Sequence, residues 1–459
     1  MSSNKKKKIL LLSDDMRMHS GVARMSREVV INTLHKYDWV QVGGAIKHPE
    51  AGNRVEIQSD EHFTLPKNAS CVIYPVDGYG NDQILRYMLE VEKPDAILHF
   101  TDPRFWGWLY NMEHEVRQNI PIMYYNIWDD LPDPHWNAKF YRCSNSLMSI
   151  SKQTYGINKR LLPEYEDWQL KYVPHGINKD MIYEIENKTS DENFMNFQFK
   201  HGFHKYKFKI LYVNRNIRRK QPGDVVMAYK HFMDQLTPEQ RKECCLIFHT
   251  AISDENGTDL RAVCRNLIPE YPVIFTHDNS GPLNDQEMNY LYNSCDIYIN
   301  IASNEGFGLG SLEALHVKKP IIVNVTGGLQ DQCGFKKEDG SYLTADDYVE
   351  LGSNHRGTYK EHGEWVKPVF PSNISLQGSP PTPYIFDDRV NYEDAGDAIR
   401  YWYDKTPSER YECGLAGYEY VSDKEIGMDA KHMAERFEEV IDDTLEKWKP
   451  REKYTLEVV

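Results

Sequence analysis

Two carboxylates frame a glycine-rich turn in the run Asn304-Glu305-Gly306-Phe307-Gly308-Leu309-Gly310-Ser311-Leu312-Glu313. Upstream, Arg215 and Lys220 are separated by four residues in Arg215-Asn216-Ile217-Arg218-Arg219-Lys220. Carboxylates accept hydrogen bonds from sugar hydroxyls. A diphosphate needs positive charge from more than one side, with arginine supplying planar geometry and lysine a point charge. Glycines let backbone approach a ligand closely, and the free N–H groups of a helix start attract phosphate. The combined chemistry is that of a nucleotide-sugar site. Each part alone has a plainer reading: strand, turn and helix recur in any α/β protein, and a basic loop is usually just solvated.

The flanking elements must place these groups. An apolar strand at 296–301 precedes the turn, a helical stretch to about 317 follows it, and 320–323 reads as the next strand. Such a turn lies at the carboxyl edge of a parallel sheet, where open α/β folds bind ligands. Short apolar strands are expected at 8–12, 39–43, 71–74, 96–100, 121–126, 146–150 and 171–173, then at 208–213, 245–249 and 273–275. Helical periodicity lies between them, which argues for mainly parallel sheets covered on both faces. A polar stretch at 184–196 reads as a linker between two α/β halves. From 334 to 387 the pattern loosens around Ser379-Pro380-Pro381-Thr382-Pro383, too long for an ordinary loop and therefore expected as an insertion. The expected domains are 1–183, 197–425 with that insertion, and a closing helical segment 426–459.

The pattern Glu-Gly-Phe-Gly-Leu-x-x-Leu-Glu-Ala at 305–314, with Thr326-Gly327-Gly328-Leu329 after the next strand, resembles the signature of retaining GT-B glycosyltransferases, in particular the large family four. The resemblance implies an α/β GT-B fold: two Rossmann-like parallel-sheet domains facing a cleft, with a C-terminal helix crossing back to the first. It implies that Glu305 holds the donor sugar, that Glu313 holds the ribose, and that Gly306, Phe307, Gly308 and Leu309 line the donor. Arg215 and Lys220 match the family's diphosphate clamp, with Arg218 and Arg219 beside them. Asn214 stands where a glycine is usual. The implied activity is sugar transfer with retention from a nucleotide-diphosphate donor, a UDP-sugar, to an acceptor hydroxyl. Glu305, Arg215 and Lys220 would be the catalytic groups.

In the first half, Ser20-Gly21-Val22-Ala23-Arg24 is similar to the family's first loop, so Gly21 would bring backbone amides to the donor. Ser20 or Gly21 can equally serve as a helix cap. Pro174-His175-Gly176-Ile177-Asn178 resembles the family's end-of-domain turn. Trp128 stands at the position of a donor-contacting histidine in the family, followed by Asp129. Trp128 could stack on a sugar or pack at a loop base; His99 could substitute for that histidine or be a satisfied interior residue. Asp129, Asp130 and Asp133 invite a metal reading, but their spacing does not match the Asp-x-Asp of GT-A enzymes, so no metal is expected.

The chain has 459 residues, 27% charged and 40% hydrophobic, which suits two or three globular domains. A formal charge of −15 disfavours a surface that grips nucleic acid or anionic lipid throughout. Eight cysteines without C-x-x-C spacing suggest free thiols in a reducing compartment. No apolar run spans a bilayer, and the four apolar residues after Lys5–Lys8 are too few for a signal peptide, so membrane insertion is not expected and a cytoplasmic location is. Segments around 327–332, 366–368 and 383–389 look like phage-encoded members of the family, some of which glycosylate hydroxymethylated cytosine in DNA. The location would then be the host cytoplasm, and DNA as acceptor would require a local basic strip at Lys152, Lys159 and Arg160. A saccharide or other small acceptor, a GT-B nucleotide-sugar epimerase and a non-catalytic sugar-nucleotide-binding subunit remain alternatives.

Overall fold

A computed structural model describes residues 5–60, 63–67 and 69–454. The chain forms two compact units: residues 1–128, 133–176 and 430–459 make the first, and residues 129–132 with 177–429 make the second.

The first unit is built on an eight-stranded sheet: β1 (Lys7–Asp14), β2 (Tyr37–Gly44), β3 (Val55–Ile57), β4 (Cys71–Pro75), β5 (Ala96–Phe100), β6 (Ile122–Asn126), β7 (Ser146–Ser149) and β8 (Leu170–Tyr172). Its order is β3-β4-β2-β1-β5-β6-β7-β8, and every pairing is parallel except β3 with β4. Central β1 is apolar from Ile9 to Leu12, all buried, as expected for a strand covered on both faces. The helix Gly21–Thr33 starts where Ser20 Oγ accepts the Ala23 N–H at 3.0 Å.

The C-terminal helix Ala430–Lys447 belongs to this unit. Met433, Phe437, Val440 and Ile441 recur at helical spacing and are buried. The Phe437 ring stands edge-on to Tyr125 at 4.9 Å, Thr444 Oγ1 meets Ser146 Oγ at 2.7 Å, and the Tyr37 hydroxyl donates to Asp442 at 2.6 Å.

The second unit carries a wholly parallel six-stranded sheet: β9 (Phe208–Val213), β10 (Cys244–His249), β11 (Val273–Phe275), β12 (Ile297–Asn300), β13 (Ile321–Asn324) and β14 (Val366–Val369). The order is β11-β10-β9-β12-β13-β14. Strand order therefore reverses between β9 and β12, and ligand crevices in open α/β sheets form outside the carboxyl ends at such a switch point. Beneath it, Tyr212, Phe232, Ile299 and Trp402 belong to one buried cluster.

Three sequence expectations are corrected. The break falls after Gly176 rather than at 183, and the polar stretch 184–196 is not a free linker. Its polar residues are used in hydrogen bonding: Lys188 Nζ donates to the Asn293 carbonyl at 3.3 Å, and Asp191 caps the helix Glu192–His201 by accepting the Phe194 N–H at 2.9 Å. The region 334–387 is not a simple insertion, since it supplies β14, the sheet's edge strand. Lys367 and Pro368 disguise that strand, and an edge tolerates proline because one row of N–H groups has no partner to find. The region also provides most of an antiparallel hairpin, β15 (Asn373–Ser379) and β16 (Thr382–Arg389). None of the eight cysteines forms a disulfide. Among the described residues, no helix is long and apolar enough to cross a membrane.

Candidate active site

The loops leaving β9 and β12 meet at the switch point of the second unit. After β9 the chain makes one 3-10 turn, Arg218–Lys220, and the following Gln221 adopts a left-handed conformation (φ 52°) that only glycine takes without strain. Two buried phenols hold this loop down: Tyr212 donates to the Lys220 carbonyl at 3.0 Å, and Tyr298 to the Val213 carbonyl at 3.1 Å. The turn delivers the Lys220 ammonium onto the Glu305 carboxylate, forming an ion pair with both side chains largely withdrawn from water. Burial alone would raise the Glu305 pKa, but Lys220 and Arg219 hold it below the usual carboxylate range. Burial draws the Lys220 ammonium below the ordinary lysine value.

Arg219 braces the same loop. Its guanidinium donates to the Asn304 carbonyl at 2.6 Å and lies 3.7 Å from Asp129, while its own carbonyl accepts the Ser303 N–H at 2.8 Å. Arg215 goes elsewhere. It is well exposed and donates through Nε to Asp254 at 3.2 Å. The structure thus brings together Lys220 and Glu305, and places Arg215 at the rim.

Gly308 caps the next helix, Leu309–His316, at φ 91°. A Cβ there would lie 2.4 Å from Leu329 Cδ2, so the position requires glycine for both conformation and space. The Gly306 and Phe307 backbone leads into this cap, and Leu309 opens the helix. Gly327 and Gly328 pack directly on the backbone of Glu305 and Gly306, where the Gly328 N–H donates to the Glu305 carbonyl at 2.9 Å. Glu313 is buried on the helix. Burial first, then the charges of Glu305 and Glu313, raises the Tyr298 phenol pKa. The arrangement offers two carboxylates, an ammonium, a guanidinium and a helix start around one turn. It can bind an anion at the helix end and hydroxyls at the carboxylates.

Sequence reasoning gave Asn304 no role and weighed Asp130 only as a metal ligand. Asn304 Nδ2 donates to the Phe386 carbonyl at 2.6 Å and to the Asp130 carboxyl. Burial first, then the neighbouring Asp129, pushes Asp130 well above the usual carboxylate range. The only sequence signal was the adjacency of Asp129 and Asp130, two like charges that cannot both ionise cheaply in a buried place.

In the first unit, Ser20 fills the capping role: it accepts from Ala23 and donates to Asp14 at 2.8 Å, and exposed Gly21 opens the helix. Trp128 is half-buried; its carbonyl accepts from Thr154 Oγ1 at 2.6 Å, and its ring meets Trp136 edge-on at 5.0 Å. His99 is corrected as a contact residue. It is fully buried against Trp106, Tyr110 and Tyr124, with Nδ1 2.6 Å from the Tyr110 hydroxyl, and burial lowers its pKa to about 3. Of the expected basic strip, Lys152 is buried, Lys159 is paired with Asp167 at 2.6 Å and Arg160 with Asp133 at 2.6 Å. Beyond the ends of β2 and β4 lies an open surface depression of about 510 Å³ lined by Lys47, His48, Pro49, Asp77 and Gly78. Among the described residues, no three or more His, Cys, Asp or Glu side chains gather as a metal site.

Residues 193–341, within the second unit, match the family model described as Glycosyl transferases group 1. No curated protein matches the chain. Among solved structures, Anabaena HepE in complex with UDP and glucose is similar over 95% of this chain and 99% of that one, at 13% identity and a TM-score of 0.63. The sucrose-phosphate synthase of Thermosynechococcus elongatus is similar over 95% and 98%, at 13% identity and a TM-score of 0.62. The E. coli trehalose-6-phosphate structure bound with UDP-2-fluoro glucose is similar over 97% and 100%, at 11% identity and a TM-score of 0.62. The fold is GT-B.

Proposed function

We propose that this chain is a retaining glycosyltransferase that moves a sugar from a UDP-linked donor to the hydroxyl of a small polyol such as a saccharide. The observation that carries the reading is the buried Lys220–Glu305 pair at the switch point of the unit that matches Glycosyl transferases group 1. The bond from the anomeric carbon to the diphosphate breaks with its electrons going to phosphate oxygen. The acceptor oxygen bonds to the same face of that carbon, and its proton passes to the departing phosphate. No separate protein base is needed. The protein's task is to stabilise the growing negative charge through Lys220, Arg219, Arg215 and the helix start after Gly308, with Glu305 and Glu313 holding sugar and ribose. These charges act without a metal, so activity is expected to persist in EDTA.

The surface depression of the first unit supports the choice of acceptor. Asp77 can accept hydroxyl protons there and Lys47 can donate, a mixed lining that suits an uncharged polyol. The paired state of Lys159 and Arg160 leaves a DNA acceptor without the strip it would use. Incubating the protein with a panel of nucleotide sugars, with saccharides or with hydroxymethylated DNA, and identifying products by mass spectrometry tests this reading. A glycosylated saccharide with retained configuration is expected. Glycosylated DNA would overturn the acceptor, free epimerised sugar would assign an epimerase, and an unchanged donor would leave a binding subunit.

A further inference from the structure

The region 334–387 carries a side-chain cluster that the reaction above does not use. His355 lies on a tight loop that begins just after the helix Asp347–Leu351, and its imidazole meets both oxygens of Asp388, at 3.0 and 3.1 Å from Nδ1. Asp388 also accepts from Thr326 Oγ1 at 2.8 Å. Both His355 and Asp388 are buried. A carboxylate can only accept, so Nδ1 carries a proton, and in the neutral imidazole Nε2 keeps its lone pair. Among the described residues Nε2 finds no hydrogen-bond partner, and it is not one of the polar atoms sealed from solvent.

The groups that position this pair are the ones that form the Glu305 turn. The Asp388 N–H donates to the Ser303 carbonyl at 3.2 Å, and Asn324 Nδ2 donates to the Asp388 carbonyl at 2.6 Å. Behind the imidazole, the His355 N–H donates to Ser353 Oγ, which lies 3.0 Å from Gln330 Nε2; that amide also donates to the Gly327 carbonyl at 3.1 Å. Gly327 in turn packs on the Glu305 carbonyl. The dyad is therefore fastened to both loops that flank Glu305. Its net charge with a neutral imidazole is −1, so it repels a diphosphate and suits a hydroxyl proton instead.

Resting on the donor reading above, we propose that His355 is a positioning residue for the donor sugar, accepting one of its hydroxyls at Nε2 while Asp388 fixes the ring and its tautomer. The region that interrupts the regular α/β pattern thereby supplies sugar specificity.

The test measures binding of UDP and of UDP-glucose to wild type, His355→Asn and His355→Gln, with melting temperatures alongside. Asparagine keeps a donor for Asp388 where Nδ1 stood and removes Nε2. His355→Asn should melt like wild type, bind UDP equally, and bind UDP-glucose about five- to tenfold more weakly, the worth of one hydrogen bond. Unchanged UDP-glucose binding, or equal loss for UDP and UDP-glucose, overturns the proposal in favour of a clasp that only holds the loop. A wild type that binds neither compound removes the donor reading, and the proposal falls with it. Should His355→Asn unfold, wild type labelled with ¹⁵N-histidine decides. One ring nitrogen, absent in His355→Gln, should shift with UDP-glucose and not with UDP; a spectrum without that shift overturns the proposal.

Discussion

Lys220 and Glu305 gain from each other what both lose by leaving water. Removing one partner strands the other charge, which costs about 3–5 kcal/mol at a buried pair. Glu305→Ala should therefore lower the melting temperature sharply, and adding Lys220→Met should recover part of the loss; calorimetry of the three proteins measures the coupling. Arg215 predicts a different signature, because it is solvated and tied to Asp254 at the rim. Arg215→Ala should leave stability and donor KM nearly unchanged yet cut kcat about 100-fold, the scale of one charge-stabilising donor. Wild-type turnover in that variant would strike Arg215 from the mechanism. Pairs of this kind were only partly legible beforehand. The spacing of Arg215 and Lys220 marked a phosphate loop, but nothing local told that the lysine turns inward and the arginine outward.

At the level of elements, the turn between β12 and the helix Leu309–His316 depends on one backbone conformation. Gly308→Ala forces a side chain into a left-handed position and against Leu329. Donor affinity should fall at least tenfold, with a stability loss of about 1–3 kcal/mol; titration calorimetry with UDP and thermal melts separate the two effects. The glycine itself was conspicuous in sequence, since a strand, a glycine turn and a helix form a local pattern. Strand β14 was not, because Val366-Lys367-Pro368-Val369 lacks the apolar run of an interior strand and is assigned only by its neighbour β13. The same holds for β3, three residues long and held only by antiparallel pairing with β4.

For the whole molecule, the last helix returns to the unit that contains the first strand. A chain ending at Asp429 would uncover the side of the first unit that Met433, Phe437 and Ile441 bury, and should lose that unit's cooperative melting while the second unit's transition persists. Calorimetry of the truncated protein tests this; two intact transitions would show the helix dispensable. Acid acts on the same unit. Burial lowers both His99 and His175 to about 3, against an ordinary value of 6.5. The unfolded chain takes up protons that the folded unit refuses, so their contribution is intact above about pH 6.5 and is lost as pH falls toward 3. The melting temperature of the first unit should drop between pH 7 and 5, and His99→Gln should flatten that slope. A slope unchanged in the variant would mean that other groups control acid unfolding.

Hydrophobic period, glycine placement and capping residues act over a few neighbours, and these alone were enough to set out two α/β halves and a sugar-nucleotide turn after β12. Which loops then meet depends on strand order. Lys220 finds Glu305 across 85 residues of chain because β9 and β12 are neighbours at the switch point. His355, Asp388 and Thr326 gather from three separate segments, and the closing helix settles on the first unit, for the same reason. Burial depends on those tertiary neighbours too, and it is what turned His99 from a candidate contact into a core residue and Asp130 into a carboxyl whose pKa is raised.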